Sequence, residues 1–190
     1  RTIMATFASP IILLFLGGFF LAAAASKYRL DINLARVMLQ PFGQKPRRIM
    51  LGLMIVTAVF SMFMSNTATT AMMLAILTPI LKLLPKEDGG RIGFVLAVPF
   101  AANVGGIGTP IGTPPNAIAL KYLVGENAIS FGQWMSFAVP YVVVMLIITW
   151  LLIWTIYPTK QQTMTLEIKE EFRSDWKAKT VYLTFGLTIF

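Results

Sequence analysis

The sequence predicts an all-α integral membrane protein, and two observations carry that prediction. Apart from Arg1, all the charged residues, fifteen basic and eight acidic, are confined to short segments between uncharged runs at Thr2–Ser26, Ile49–Leu81, Ile92–Leu120, Asn127–Thr159 and Thr180–Phe190. The first four runs hold 25, 33, 29 and 33 residues, each beyond the roughly 20 that a bilayer-spanning helix needs. Amphipathic helices of a soluble domain would instead carry charge every few residues on their wet face.

The same composition excludes much chemistry. With no cysteine and no histidine there is no thiolate nucleophile, disulfide, imidazole base or zinc site of the usual kind. All eight carboxylates lie between the uncharged runs, so no acid–base pair sits at membrane depth, and no enzyme is expected. A net charge of +8 raises the question of nucleic acid, but the basic residues flank apolar runs without interleaved aromatics, so they read as topology signals and no nucleic-acid partner is expected.

Residues 1–48 read as a transmembrane helix followed by an interfacial helix. Pro10 to Ala25 is long, carries Gly17 and Gly18, and precedes Lys27 and Arg29, which suits a span better than a cleaved signal. Leu30, Leu34, Val37 and Met38 then recur at helical spacing among Arg29, Asp31 and Arg36, up to Pro41-Phe42-Gly43. The chain opens on Arg1 and closes inside the apolar stretch Val181 to Phe190, so the expectation is a fragment of a longer protein.

Residues 49–84 are predicted to form a re-entrant hairpin, on an argument from charge. Six basic residues fall in Lys27–Arg48, three in Lys82–Arg91, one in Lys121–Glu126 and five in Lys160–Lys179. Placing the first, second and fourth segments in the cytoplasm puts both ends of Ile49–Leu81 on one side, which a single crossing cannot do. Thirty-three residues make two arms of about 16, roughly 24 Å each, too short for two full crossings. The tip is expected at Ser65-Asn66-Thr67, and turn backbone at that depth must lie inside protein or beside water. The competing reading is one long tilted helix.

Residues 85–126 are predicted to be a broken transmembrane helix. The stretch Asn103 to Asn116 holds four glycines and three prolines. Glycine costs about 1 kcal/mol and proline about 3 in a helix interior, so two half-helices with an unwound link are cheaper. Residues 127–159 read as an ordinary long span, with Trp134, Tyr141, Trp150, Trp154 and Tyr157 suited to interfacial anchoring or lipid contact. Residues 160–179 alternate charge, including Glu167, Lys169, Glu170 and Glu171, as a solvated cytoplasmic connector, and 180–190 begin the next span.

A hairpin tip and a helix break that meet at mid-membrane expose main-chain ends of both signs. The arm ending near Ser65 offers carbonyl oxygens and the arm starting after Thr67 offers amide hydrogens. Ser65 and Asn66 add hard oxygen ligands for an alkali cation, while Thr67 is placed to cap the second arm and donate to an anion. In the second break, Gly112 permits close approach and unusual backbone angles, which leaves its carbonyl free for a cation. Thr113 then caps a helix opened by Pro114 and Pro115, and donation shifts onto the Thr113 hydroxyl and the Asn116 amide. With no Arg or Lys at depth, an anion would be neutralised by these dipoles and by co-bound cations. Small polar residues also pack helices, and Gly108 to Gly112 matches a small-xxx-small contact, so either motif alone reads as packing or as binding. Thr69 and Thr70 stay outside the candidate site, since on a helical arm they have carbonyls to bond to.

Ser-Asn-Thr at 65–67 followed by Ala-Thr-Thr-Ala-Met-Met, and Gly-Thr-Pro-Pro-Asn-Ala-Ile at 112–118, resemble the divalent anion–sodium symporter family, the sodium-coupled dicarboxylate and citrate carriers. The resemblance covers nearly the whole chain as about the first of two inverted repeats. It implies a multi-pass elevator-type secondary transporter of the plasma (inner) membrane, a homodimer in the lipid bilayer with substrate held between two hairpin tips. Carried over by motif, a sodium ion would meet the Ser61 carbonyl, Ser65, Asn66 and the Gly112 carbonyl. The dicarboxylate would meet Asn66, Thr67 and Thr113, while a second sodium site and half of the pocket lie off this chain. Ser61 also stands one helical turn before Ser65, which independently suits a cation near the end of that arm.

The leading expectation is therefore sodium-coupled transport of small dicarboxylates such as succinate, malate or fumarate. The same fold would also serve a sodium-independent dicarboxylate exchanger or a citrate or sulfate carrier. From another class come an ion channel, which predicts currents far above carrier turnover, and a membrane scaffold, which predicts no uptake.

Overall fold

Every described element is helical, as the uncharged runs require, and no strand occurs among the described residues. The computed structural model describes residues 16–17, 20, 23–24, 27–28, 39–123, 125, 128–164 and 176–189. Most of the first span, of the interfacial helix and of the connector at 165–175 lies outside the described residues.

Helix α1 (Pro46–Ser61) opens on a proline, whose missing N–H falls in the first turn where no intrahelical partner exists. It thus starts three residues ahead of the uncharged run and takes Arg47 and Arg48 into its first turn. Helix α2 (Asn66–Lys82) follows after a four-residue turn, and Ser65 rather than Thr67 is its N-cap, accepting from the Ala68 N–H at 3.3 Å. The cap falls there because Ser65 is the last extended residue (φ −61°, ψ 142°), and an acceptor on it reaches the N–H three residues on. Thr67 lies inside the first turn of α2.

Helix α3 (Gly90–Gly106) runs further than glycine propensity alone predicts, and α4 (Pro114–Leu120) resumes after an irregular link at 107–113. Gly105 and Gly106 stay helical because their missing side chains let α3 touch its neighbours: a Cβ on Gly105 would stand 2.4 Å from the Ala58 Cα, and one on Gly106 2.5 Å from the Asn66 Oδ1. Packing outweighs the roughly 1 kcal/mol that each glycine costs. Helix α5 (Phe131–Ile156) opens on a capping box between Ser130 and Gln133. Among the described residues it is the one helix long and apolar enough to cross a membrane; α3 is a shorter apolar helix. Helix α6 (Trp176–Ile189) starts four residues before the last uncharged run, so Lys177 and Lys179 are helical rather than part of the connector.

The contacts fix how these helices run. Arg47, at the start of α1, lies over the Trp150 ring at 4.7 Å, and the Trp150 Nε1 donates to the Arg47 carbonyl at 3.1 Å. Asp88, between α2 and α3, accepts from the Thr159 hydroxyl at 2.9 Å and from the Lys160 N–H at 3.2 Å, just past α5. Both ends of the α1–α2 pair therefore lie against the C-terminal end of α5, so the pair is a helical hairpin. The opposite end of α5 meets the α3–α4 link, where the buried Trp134 Nε1 donates to the Ile107 carbonyl at 3.0 Å.

Charge finishes the loop end. Arg91 donates to the carbonyls of Leu81 and Leu84 at 2.6 and 3.0 Å, placing a cation on the orphan carbonyls and negative dipole end of α2. Partial burial works to raise the Asp88 pKa, but hydrogen bonds from the Gly90 N–H, the Thr159 hydroxyl and the Lys160 N–H, with the Lys160 charge, outweigh it and hold the carboxyl below its ordinary range.

The core sits between α1 and α3, the most extensively packed pair. Gly93, Ala97, Ala101 and Gly105 recur every four residues on one buried stripe of α3, so the backbones approach closely. Ile49, Met50, Leu53, Met54 and Val56 of α1 fill the remaining space with no exposed surface. Met73, Leu77 and Ile80 of α2 close the same cluster from the other side.

Candidate functional site

The hairpin turn and the α3–α4 break are brought together by the α1–α3 contact. Ser61 ends α1 and is fully buried; its hydroxyl lies 2.7 Å from the Asn66 Oδ1 and 2.7 Å from the Ala102 carbonyl of α3. Asn66, the first residue of α2, turns its other amide atom outward, and Nδ2 donates to the Asn103 Oδ1 at 3.1 Å. A single side chain thus presents an oxygen to a buried cluster of oxygens and a nitrogen to an open groove. That groove, about 340 Å³, is lined by Asn66, Thr67, Thr70, Ala71, Leu74 and Asn103.

The break is held by donors that the prolines cannot supply. Asn116 is 7% exposed, and its Nδ2 donates to the carbonyls of Gly106 at 2.9 Å and Thr109 at 2.8 Å. Its amide is therefore spent inside the link and is not a donor for an anion, which corrects the role expected from its place after two prolines. Thr109, also buried, donates through its hydroxyl to the Met62 carbonyl, tying the break to the hairpin turn. Gly112 is required for proximity rather than for backbone angle: a Cβ there would stand 2.4 Å from the Gly106 carbonyl, while positive φ occurs among the described residues only at Gly43 and Gly125.

Of the candidate residues, Ser61 and Asn66 are in direct contact, and Gly112 reaches them through Gly106, which touches both Gly112 and Asn66. Ser65 caps α2 beside them. Thr67 is exposed on the groove. Thr113 occupies the N-cap position of α4 with extended backbone, but its side chain makes no capping bond: the first two helical positions are prolines with no N–H, and the N–H of the third, Asn116, donates to the Thr113 carbonyl at 3.1 Å. Thr113 is half-buried, and no hydrogen bond joins it to Asn66 or Thr67. Thr69 is fully buried with its hydroxyl unpartnered, whereas Thr70 lines the groove.

Two residues at this site are missed by sequence reasoning. Asn103 was visible as an amide in an uncharged run, but its partner Asn66 is 37 positions away. Trp134 reads as an interfacial anchor, and nothing local announces that its N–H is committed to the Ile107 carbonyl.

In chemical terms the cluster offers hydroxyl, amide and main-chain oxygens, and no group of three or more acidic residues that could hold a metal ion occurs among the described residues. Such uncharged oxygen donors suit a hard monovalent cation, and helix termini beside them suit a carboxylate.

The family model described as citrate transporter matches residues 1–190. The sodium-dependent high-affinity dicarboxylate transporter 3 of Caenorhabditis elegans is 34% identical over 93% of the chain and 36% of that protein. A sodium-dependent dicarboxylate transporter of Staphylococcus saprophyticus is 34% identical over 99% of the chain and 40% of that protein. One from Staphylococcus aureus is 37% identical over 76% of the chain and 30% of its own length. The chain thus spans well under half the length of these curated relatives.

Proposed function

The chain belongs to the citrate transporter family of membrane proteins, and from that premise we propose that it forms the first half of a sodium-coupled secondary transporter for small dicarboxylates. The observation that carries the reading is the divided role of Asn66. Its Oδ1 sits in the buried oxygen cluster at Ser61 while its Nδ2 faces the groove, so one amide addresses a cation and an anion at once.

In this reading sodium meets the Ser61 carbonyl, Ser65, Asn66 and the Gly112 carbonyl, and the substrate carboxylate meets Asn66, Thr67 and Thr113. The cation supplies the positive charge that the site lacks in side chains, so anion binding depends on it. The hairpin is re-entrant: arms of 16 and 17 residues reach roughly 24 to 26 Å, short of a hydrocarbon core of about 30 Å. A second, inverted repeat completes the pocket, and the multi-pass whole works as an elevator-type homodimer in the plasma membrane. Succinate, malate and fumarate are the expected substrates, in keeping with the names of the relatives. Citrate is the second reading, favoured by the description of the family model.

The test is uptake by the full-length protein in proteoliposomes, with and without a sodium gradient, against a panel of succinate, malate, fumarate and citrate. Sodium-driven succinate uptake is expected, with Asn66→Ala weakening sodium and succinate together because one side chain meets both, and with the coupling between the two ions reciprocal. Wild-type sodium dependence in recovered Asn66→Ala protein removes Asn66 from the site. Uptake of citrate alone favours the second reading.

A further inference from the structure

We propose that Asn103, on the last turn of α3, is a substrate-contacting residue of the groove, donating its amide N–H groups to the carboxylate that Asn66 and Thr67 also meet. The inference rests on the reading above and adds a residue that lies outside both sequence motifs.

The argument starts from where an asparagine is tolerable. Beyond Arg91 in its first turn, α3 is apolar up to Asn103, and its buried stripe is built from glycine and alanine. Asn103 stands off that stripe, exposed, on the side turned toward the first turns of α2. Its Oδ1 is committed to the Asn66 Nδ2 at 3.1 Å, which fixes the amide plane. The remaining polar atom is Nδ2, with two N–H groups and no partner among the described residues, on a residue that lines the groove. Donors without a partner at membrane depth are costly, so a ligand that accepts them is favoured there.

The composition of the groove says which ligand. Asn66, Thr67, Thr70 and Asn103 gather at one end, all neutral and all able to donate, while Ala71 and Leu74 continue along the same face of α2 one turn further on. A carboxylate at the polar end with a short aliphatic chain over Ala71 and Leu74 satisfies both. Asn103 is also last in a relay from the Ser61 hydroxyl to Asn66 Oδ1 and from Asn66 Nδ2 to Asn103 Oδ1. A cation on Asn66 Oδ1 draws electron density through the amide and makes each later donor in the relay stronger. The cation and the outermost donor are thereby coupled without any movement of the helices.

Asn103→Asp in the full-length protein separates this role from mere support of Asn66. Aspartate keeps the oxygen that accepts from Asn66, so a residue that only positioned Asn66 would tolerate it. It deletes the two donors and sets a negative charge against the carboxylate. The expected result is a succinate KM raised by about tenfold to a hundredfold, with the sodium half-saturation, measured at the same multiple of each variant's KM, unchanged or lower. Wild-type succinate KM in Asn103→Asp overturns the proposal, as does an equal rise in the sodium and succinate constants, which would mean that Asn103 acts only through Asn66. If Asn103→Asp cannot be recovered folded, Asn103→Ala serves: a tenfold or larger rise in succinate KM with the sodium half-saturation unchanged supports the contact, and a wild-type KM or an equal rise in both constants overturns it. Asn66→Ala run alongside distinguishes the two failures. If it weakens both ions while Asn103→Asp does nothing, only the Asn103 contact falls; if Asn66→Ala is itself silent, the groove is not the substrate site.

Discussion

The Cα of Ala58 lies where a side chain on Gly105 would begin: a methyl group built on Gly105 would stand 2.4 Å from it. This backbone-to-backbone contact between α1 and α3 sets the distance from Ser61 to the Ala102 carbonyl, and so brings the hairpin turn to the break. Gly105→Ala is expected to destabilise the protein by about 1 to 3 kcal/mol, since neither backbone can step aside as a side chain would. Thermal unfolding in detergent checks this, and an unchanged midpoint would show that the two helices sit further apart than described.

Thr113→Val tests a hydroxyl that has no structural duty, because the Thr113 side chain makes no capping bond. Stability is expected to hold. Loss of one hydrogen bond to a charged ligand is worth about 1.5 to 3 kcal/mol, so the apparent succinate affinity should fall roughly tenfold to a hundredfold. Uptake kinetics of the full-length variant decide the matter; wild-type values for every dicarboxylate tried would strip Thr113 of its role.

Thr69 makes the opposite case. Its hydroxyl is buried and unpartnered, so Thr69→Val exchanges an unsatisfied polar group for a methyl of nearly the same size. The expected outcome is stability unchanged or raised by up to about 1 to 2 kcal/mol, read as an unchanged or higher thermal midpoint, with unaltered uptake. A clear drop in the midpoint would reveal a partner for that hydroxyl in the full-length protein.

Asp88→Ala removes the carboxylate that joins the start of α3 to the end of α5. Loss of its hydrogen bonds to the Gly90 N–H, the Thr159 hydroxyl and the Lys160 N–H costs about 1 to 3 kcal/mol at neutral pH. Because the folded Asp88 pKa is lowered, its contribution is fully present above the ordinary aspartate range and is lost as pH falls through the folded value. The stability gap between wild type and variant should therefore be constant from neutral pH down to about 5 and narrow below about 4, as thermal midpoints across that range would show. A gap independent of pH would assign the effect to packing.

The parts of the fold that depend on local chemistry are legible in the sequence, and those that depend on distant contacts are not. Pro114 and Pro115 lack the N–H groups that would continue a helix through the link, and the observed helix resumes on Pro114. Gly105 and Gly106 carry the same local signal yet remain helical, because Ala58 and Asn66 press against them from α1 and α2. Basic residues on both flanks of 49–81 imply that the two arms share an end, and the Arg47–Trp150 and Asp88–Thr159 contacts lie at one end of α5. The choice of Ser65 over Thr67 as cap turned on which residue keeps extended backbone, and three successive polar residues leave that undecided. Asn116 was recognised as a polar residue at the break, but its two acceptors are carbonyls exposed only once the link has folded.

Ser61 has one hydroxyl proton and two oxygens to give it to, each at 2.7 Å. Which of them receives it is settled by rotation about a single bond, on a timescale of picoseconds to nanoseconds. A positive ion seated on the Asn66 oxygen would leave the proton to Ala102; once the ion departs, the proton is free to swing back. The tip thus keeps a hydrogen atom between oxygens that would otherwise repel one another. The junction of α1, α2 and α3 holds a switch whose one moving part is a hydrogen atom.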